Sequence, residues 1–346
     1  MTAREPILEP ELPIVDPHHH LWDRPPPPAG APSATHGFTV AIQPAARYLL
    51  DELLADTGSG HNVVATVFVE CGAMYRADGP DHLKPVGETE FVNGVAAMSA
   101  SGRYGAIRAC AGIVGRADFT LGDGVAQQLE AHIAAAPGRF RGVRQSASHD
   151  PDAGVLGPLA RTQGGLYASD AFRSGFHHLA RLGLSFDAWM LEPQLPDLIG
   201  LTRAFPDTRV VLDHVGTPLG LSSYEGRREE RFPTWKANIQ ELAKSPNVFV
   251  KLGGLAMAFC NFPSFLAEPR APSAQLAEEW RPYIETCIEA FGPDRCMFES
   301  NFPVDMGSCD YATLWNAFKR IAAGASESEK TALFSGAAKA FYRLDI

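Results

Sequence analysis

The chain has 346 residues, 45% of them hydrophobic, enough to bury a sizeable core as two domains or as one large α/β barrel. Its 40 acidic and 30 basic residues give a formal net charge of -10, which argues against a nucleic-acid or anionic-membrane surface but leaves room for a small anion held by local arginines. The six cysteines form no C-x-x-C pair, the acidic stretch 1–13 lacks the apolar run of a signal peptide, and no apolar stretch is long enough to span a bilayer, so a reduced, cytoplasmic protein is expected.

The first predicted strand, Ile14 to His20, ends in three histidines. Alternation places Asp16, His18 and His20 on one face and His19 on the other. Two imidazoles at the C-terminal end of a strand can converge on one metal ion or one substrate oxygen. An exposed tract or a tag remnant is the bland alternative, but this run is internal and leads into Leu21-Trp22-Asp23 rather than a linker. A stiff proline-rich loop, Pro25 to Pro32, follows, and could cover a barrel mouth. Apolar spacing predicts a helix from Pro44 to Asp56, then a strand from Val63 to Val69 that ends at Glu70. After a helix around Glu90 to Ser99 come a third strand, Ala106 to Val114, and a helix from Val125 to Ala136. Phe140 to Gln145 is the fourth strand, Asp170 to Arg181 a helix, Leu184 to Met190 the fifth strand and Gln194 to Phe205 the next helix. Thr208 to His214 is the sixth strand, Glu230 to Lys244 a helix, Asn247 to Leu252 the seventh strand and Gln275 to Phe291 a long helix. Arg295 to Ser300 is the eighth strand, with helices from Asp310 onward.

Eight βα units without a dividing linker predict a single (β/α)8 TIM-like barrel spanning 1–346, with 1–13 as an N-terminal extension. The polar residues gather where such barrels carry their chemistry, at the C-terminal strand ends: His18, His20, Glu70, Arg144, Glu192, His214, Lys251 and Asn301.

The order D-x-H-x-H-L-W-D, V-F-V-E, G-V-R, S-F-D-A-W, V-L-D-H-V-G-T-P-L-G, K-L-G-G and F-E-S-N-F-P resembles the amidohydrolase-2 family of the amidohydrolase superfamily, in the branch with sugar-acid and pyrone-dicarboxylate lactonases. The resemblance runs from Ile14 to about Tyr342. It implies an amidohydrolase-type active site with His18 and His20 as the strand-1 pair and His214 as the strand-6 histidine. Two positions depart from the pattern. Glu192 stands where the strand-5 histidine is expected, and Asn301 where the strand-8 aspartate is expected.

In the family that aspartate deprotonates the attacking water, and an amide cannot. Glu299, Glu192 and His214 are the candidates to replace it. Glu299 could equally be a structural partner of Lys251, and Arg144 either a reader of a substrate carboxylate or a partner of Glu70. His18, His20, Glu192 and His214 make an acceptable zinc set. The resemblance equally allows metal-independent catalysis in which the histidines hold the substrate carbonyl. Trp22 and Tyr75 are candidates to stack on a substrate ring, with Trp189 also near a strand end. The expected function is hydrolysis of a lactone or related carboxylic ester of a small, anionic substrate, with no nucleic acid or membrane partner and with room for a homo-oligomer. A metal-dependent non-oxidative decarboxylase and a non-catalytic small-molecule binder are the alternatives.

Overall fold

A computed structural model of the chain describes residues 5–25, 33–160 and 162–346. Most of the proline-rich loop expected over the mouth (26–32) lies outside the described residues. Eight parallel strands form the barrel: β1 (Ile14–His19), β2 (Val63–Val69), β3 (Arg108–Arg116), β4 (Phe140–Arg144), β5 (Ser185–Ala188), β6 (Val210–Leu212), β7 (Val248–Leu252) and β8 (Cys296–Phe298). Each pairs with the next in sequence order. The ring closes where β8 runs out beside β1: Asn301 N–H donates to the His18 carbonyl at 2.8 Å, and His20 N–H to the Phe302 carbonyl at 2.8 Å. The expected (β/α)8 barrel is therefore the observed fold.

Helices α1 (Leu50–Thr57), α2 (Val86–Ala100), α3 (Val125–Ala135), α4 (Asp170–Phe176), α5 (Leu195–Ala204), α6 (Arg228–Leu242), α7 (Ser273–Phe291) and α8 (Tyr311–Ile321) lie between and after the strands. The main core, rich in Leu, Phe and Trp, packs between strands and helices. A second, smaller core fills the barrel itself: Val15, Val67, Val114, Val211 and Met297 meet Phe341 and Tyr342 from the C-terminal helix Ala337–Tyr342. That helix stoppers one end of the barrel, so the chemistry is left to the other end. At the N-terminus, Leu8 and Glu9 are fixed to α8 by their carbonyls, which accept from Lys319 Nζ at 2.9 and 2.8 Å.

Two predicted helices differ from the observed elements. Pro44 to Asp56 is not one helix, because Arg47–Tyr48 pairs antiparallel with Trp22–Asp23 and the helix starts only at Leu50. Tyr48 is buried and Trp22 Nε1–H donates to the Ala45 carbonyl at 2.6 Å, so tertiary packing overrides helical spacing here. The helix from Asp170 to Arg181 is divided at His177 into α4 and a short second helix, His178–Leu182.

Candidate active site

The site is built around Glu299, one residue beyond β8. Its Oε1 accepts from His214 Nδ1 at 2.7 Å and from the His214 backbone N–H at 3.1 Å. Its Oε2 lies 2.8 Å from His18 Nδ1. Burial alone would raise the Glu299 carboxyl, but its contacts with His214 and His18 outweigh that and hold it at about 2. Close packing makes this possible. A Cβ on Gly253 would come within 2.5 Å of Glu299, and one on Gly254 within 2.4 Å of the His214 ring, which explains the paired glycines after β7. His214 itself takes a left-handed backbone (φ 57°), turning its imidazole over the end of β6.

Beneath this pair lies a buried charge network. Lys251 Nζ is 2.7 Å from Asp187 Oδ2, 2.9 Å from Asp213 Oδ1 and 3.0 Å from His18 Nδ1. Lys251 therefore pairs with Asp187 and Asp213 rather than with Glu299, and it sits below the cavity at the barrel mouth instead of lining it. Tyr342 O–H donates to Asp187 at 2.6 Å from the stoppered end. Burial pushes the Asp187 carboxyl up to about 6 against the pull of Lys251. Asp213 is held well below the usual range, because Lys251 and His18 outweigh its burial. Burial, reinforced by Lys251, lowers His18, and burial lowers His20 well below the ordinary imidazole range. Asp16 ties β1 to the end of β8 through Ser300 Oγ at 2.6 Å and Tyr311 O–H at 3.0 Å. His19 faces outward and meets Thr66 Oγ1 at 2.8 Å. Asp16 does not share the His18 face as expected, because a register irregularity between Asp16 and His19 interrupts the alternation and Val15 takes the barrel side.

Above the network opens a cavity of about 450 Å³. His20, His214 and Asn301 reach its floor, and Trp22, Tyr75, Trp189, Glu70 and Arg144 line its walls. His20 Nδ1–H donates to the Val69 carbonyl at 2.8 Å, leaving Nε2 as an acceptor. Trp189 Nε1–H is buried without a partner among the described residues. Arg144 is largely committed: Nε donates to Glu70 Oε1 at 2.8 Å and Nη2 to the Glu70 carbonyl at 2.5 Å. Its Nη1 alone faces inward, 3.4 Å from both His18 Nε2 and Asp213 Oδ2.

Glu192 is not brought to the histidines. β5 ends at Ala188 and Glu192 opens a 3-10 turn, so strand alternation no longer aims it inward, and its carboxylate pairs with Arg231 of α6. The expected set of His18, His20, Glu192 and His214 is thus not the set that is gathered. The buried group with ligand atoms near a common point is His18, Asp213 and His214. Asn301 has a left-handed backbone (φ 53°), which asparagine tolerates, and its Nδ2–H donates to Asp305 Oδ1 at 2.7 Å. Asp305 was not singled out from the sequence. It is fully buried, and burial raises its carboxyl well above the ordinary range.

Glu88 of α2 shapes the cavity rim from behind. It accepts from Cys71 N–H at 3.1 Å and Ala73 N–H at 2.8 Å, fixing the loop after Glu70. Burial, with the Glu70 carboxylate adding to it, raises Glu88 to about 8. The folded state thus holds a proton that the unfolded state releases above about pH 4.5. This contribution to stability is present at low pH and lost as pH rises through 8. Each unit of that interval is worth about 1.4 kcal/mol. Thermal unfolding between pH 5 and 8 should therefore fall more steeply in the wild type than in Glu88→Gln. Parallel curves would contradict it.

The sequence profile of the amidohydrolase family matches residues 15–344. An uncharacterized protein, y4mH, from Sinorhizobium fredii is 36% identical over 340 residues, covering 96% of this chain and 99% of its own. An L-fucono-1,5-lactonase from Burkholderia multivorans is 31% identical over 184 residues, covering 51% of this chain and 58% of its own. The crystal structure of an amidohydrolase from Burkholderia multivorans with bound zinc superposes with a TM-score of 0.70 at 26% identity, covering 96% of this chain and 99% of that one.

Proposed function

The chain belongs to the amidohydrolase family, and from that premise we propose that it opens a lactone or related carboxylic ester of a small, anionic substrate, with His214 as the proton acceptor. The observation that carries this reading is the Glu299 carboxylate held between His18 and His214. A carboxylate held at about 2 is too weak a base to take a proton from water near neutrality. Glu192 is tied to Arg231, and Asn301 has no usable base. His214 remains. Its Nδ1–H is committed to Glu299, which presents the Nε2 lone pair to the cavity. In this assignment Glu299 is a positioning residue. Arg144 Nη1 is the donor suited to charge developing on the carbonyl oxygen, since its other nitrogens are held by Glu70. The L-fucono-1,5-lactonase likeness supports a cyclic ester as the substrate class.

The two imidazoles and the Asp213 carboxylate also suit a divalent ion, which would be held by His18, Asp213 and His214. Such an ion would polarise the substrate carbonyl. A His214 nitrogen that held such an ion could not also accept the proton, so the two assignments compete for that imidazole. The Lys251 ammonium and the Arg144 guanidinium, 3.0 and 3.4 Å from His18, favour the unligated one. The test is a panel of five- and six-membered lactones followed by pH drop, with metal content measured before and after chelation. Opening of a lactone that survives chelation supports His214 as acceptor. Activity that tracks metal content transfers Nε2 to the metal, and no opening of any lactone overturns the hydrolase reading.

Restoring the family's aspartate should not help. Asn301→Asp removes the donor to Asp305 and sets two carboxyls face to face at a fully buried position. The expected result is a loss of about 1–3 kcal/mol of stability with no gain of turnover. A large gain in turnover would show that the acceptor is missing from the wild type.

A further inference from the structure

We infer that Arg24 and Arg116 form an anion clamp in the cavity wall, so that the substrate carries a carboxylate distinct from the ester that is cut. This rests on the hydrolase reading for the word substrate, while the excess of positive charge in the cavity wall does not depend on it. The charged side chains lining the cavity are Arg24, Arg116, Arg144 and Glu70, three cations and one anion, in a chain whose formal net charge is -10. Glu70 is taken by Arg144. Among the described residues, the guanidinium groups of Arg24 and Arg116 have no carboxylate within ion-pair distance and no hydrogen-bond acceptor. Three exposed arginines elsewhere do find a glutamate, Arg47 in Glu52, Arg76 in Glu90 and Arg227 in Glu230, whereas Arg24 and Arg116 face the cavity instead.

Both unpaired arginines are half-buried. Arg24 is laid over the Trp22 ring at 4.0 Å, and that ring stacks on His20 with centroids 5.9 Å apart. The cation is thus held by packing against a wall of the cavity that leads to the catalytic histidines. Leaving two guanidinium groups partly desolvated without a counter-ion is costly. A planar fork of donors is suited to bidentate capture of a carboxylate, which would remove that cost when bound. Trp22 and Tyr75 supply flat surfaces in the same cavity, so a ring bearing a carboxylate matches both features. Arg144, the residue the sequence suggests for this task, is already neutralised by Glu70.

The experiment is isothermal titration calorimetry with benzoate and its neutral isostere benzamide, on the wild type, Arg24→Gln, Arg116→Gln, Arg24→Lys and the surface control Arg227→Gln, each checked for an unchanged melting temperature. The wild type should bind benzoate about tenfold or more tighter than benzamide, as charge-assisted hydrogen bonds to a carboxylate require. The preference should collapse to about twofold in either glutamine variant, persist in part in Arg24→Lys and be untouched in Arg227→Gln. No preference in the wild type, or a preference kept in both glutamine variants, overturns the clamp. The readout is binding, so a clamp that passes in a protein that opens no lactone refutes the hydrolase reading alone.

Discussion

Lys251→Met should destabilise the protein by about 3–5 kcal/mol, the range for breaking a buried ion pair by removing one partner. The ammonium is fully buried and is the contact shared by Asp187 and Asp213, at 2.7 and 2.9 Å. Without it Asp187 keeps the Tyr342 hydroxyl and Asp213 keeps Arg144 at 3.4 Å, and two carboxylates face each other in a dry interior. Because burial already raises Asp187 to about 6, that residue is the one expected to take up a proton in the variant. Adding Asp187→Asn to Lys251→Met should then recover part of the loss, since one of the uncompensated charges is gone. Denaturant unfolding of the three proteins checks this. A loss below about 1 kcal/mol for Lys251→Met would mean that the network is solvated and not buried.

The second large effect is on rate. His214→Gln should lower kcat by about 10²- to 10⁴-fold, the usual contribution of a positioned general base. Glutamine fills similar space and can still donate to Glu299, so the fold should be kept and the melting temperature should move little. Combined with Glu299→Gln, the losses should not multiply, because a positioning residue has nothing left to position once the imidazole is absent. Turnover on whichever lactone the panel identifies is the measurement. A variant retaining a tenth or more of wild-type turnover would remove His214 from the acceptor role.

The sequence was most legible where chemistry and strand period coincide. His18 and His19 do face opposite ways, and V-L-D-H at the end of β6 does bring His214 to the mouth. Alternation fails at Asp16: a register irregularity between Asp16 and His19 leaves Val15 in the barrel core and Asp16 bonded to Tyr311 of α8, off the His18 face. The rings of His18 and His214 lie with centroids 4.6 Å apart. What was not legible depends on register between distant strands. Lys251, Asp187 and Asp213 come from β7, from β5 and from just after β6, and no local pattern says which carboxylate a strand-7 lysine meets. The one available signal was a charge inside an apolar strand, Asp187 in S-F-D-A, which has to find a buried partner. Glu192 was misplaced for a related reason, since alignment to a family position does not reveal that the strand has already ended. Arg24 and Arg116 carried no motif at all. Their interest comes from what they lack, which only the three-dimensional arrangement reveals.

The most direct test of the central claim, that Glu299 orients His214 and is not only a strut, is to measure turnover and melting temperature together on Glu299→Gln. An orienting carboxylate predicts a fall in turnover of about 10²-fold or more, with the folded protein still binding benzoate in preference to benzamide. Full turnover in Glu299→Gln, whatever its melting temperature, would contradict the account.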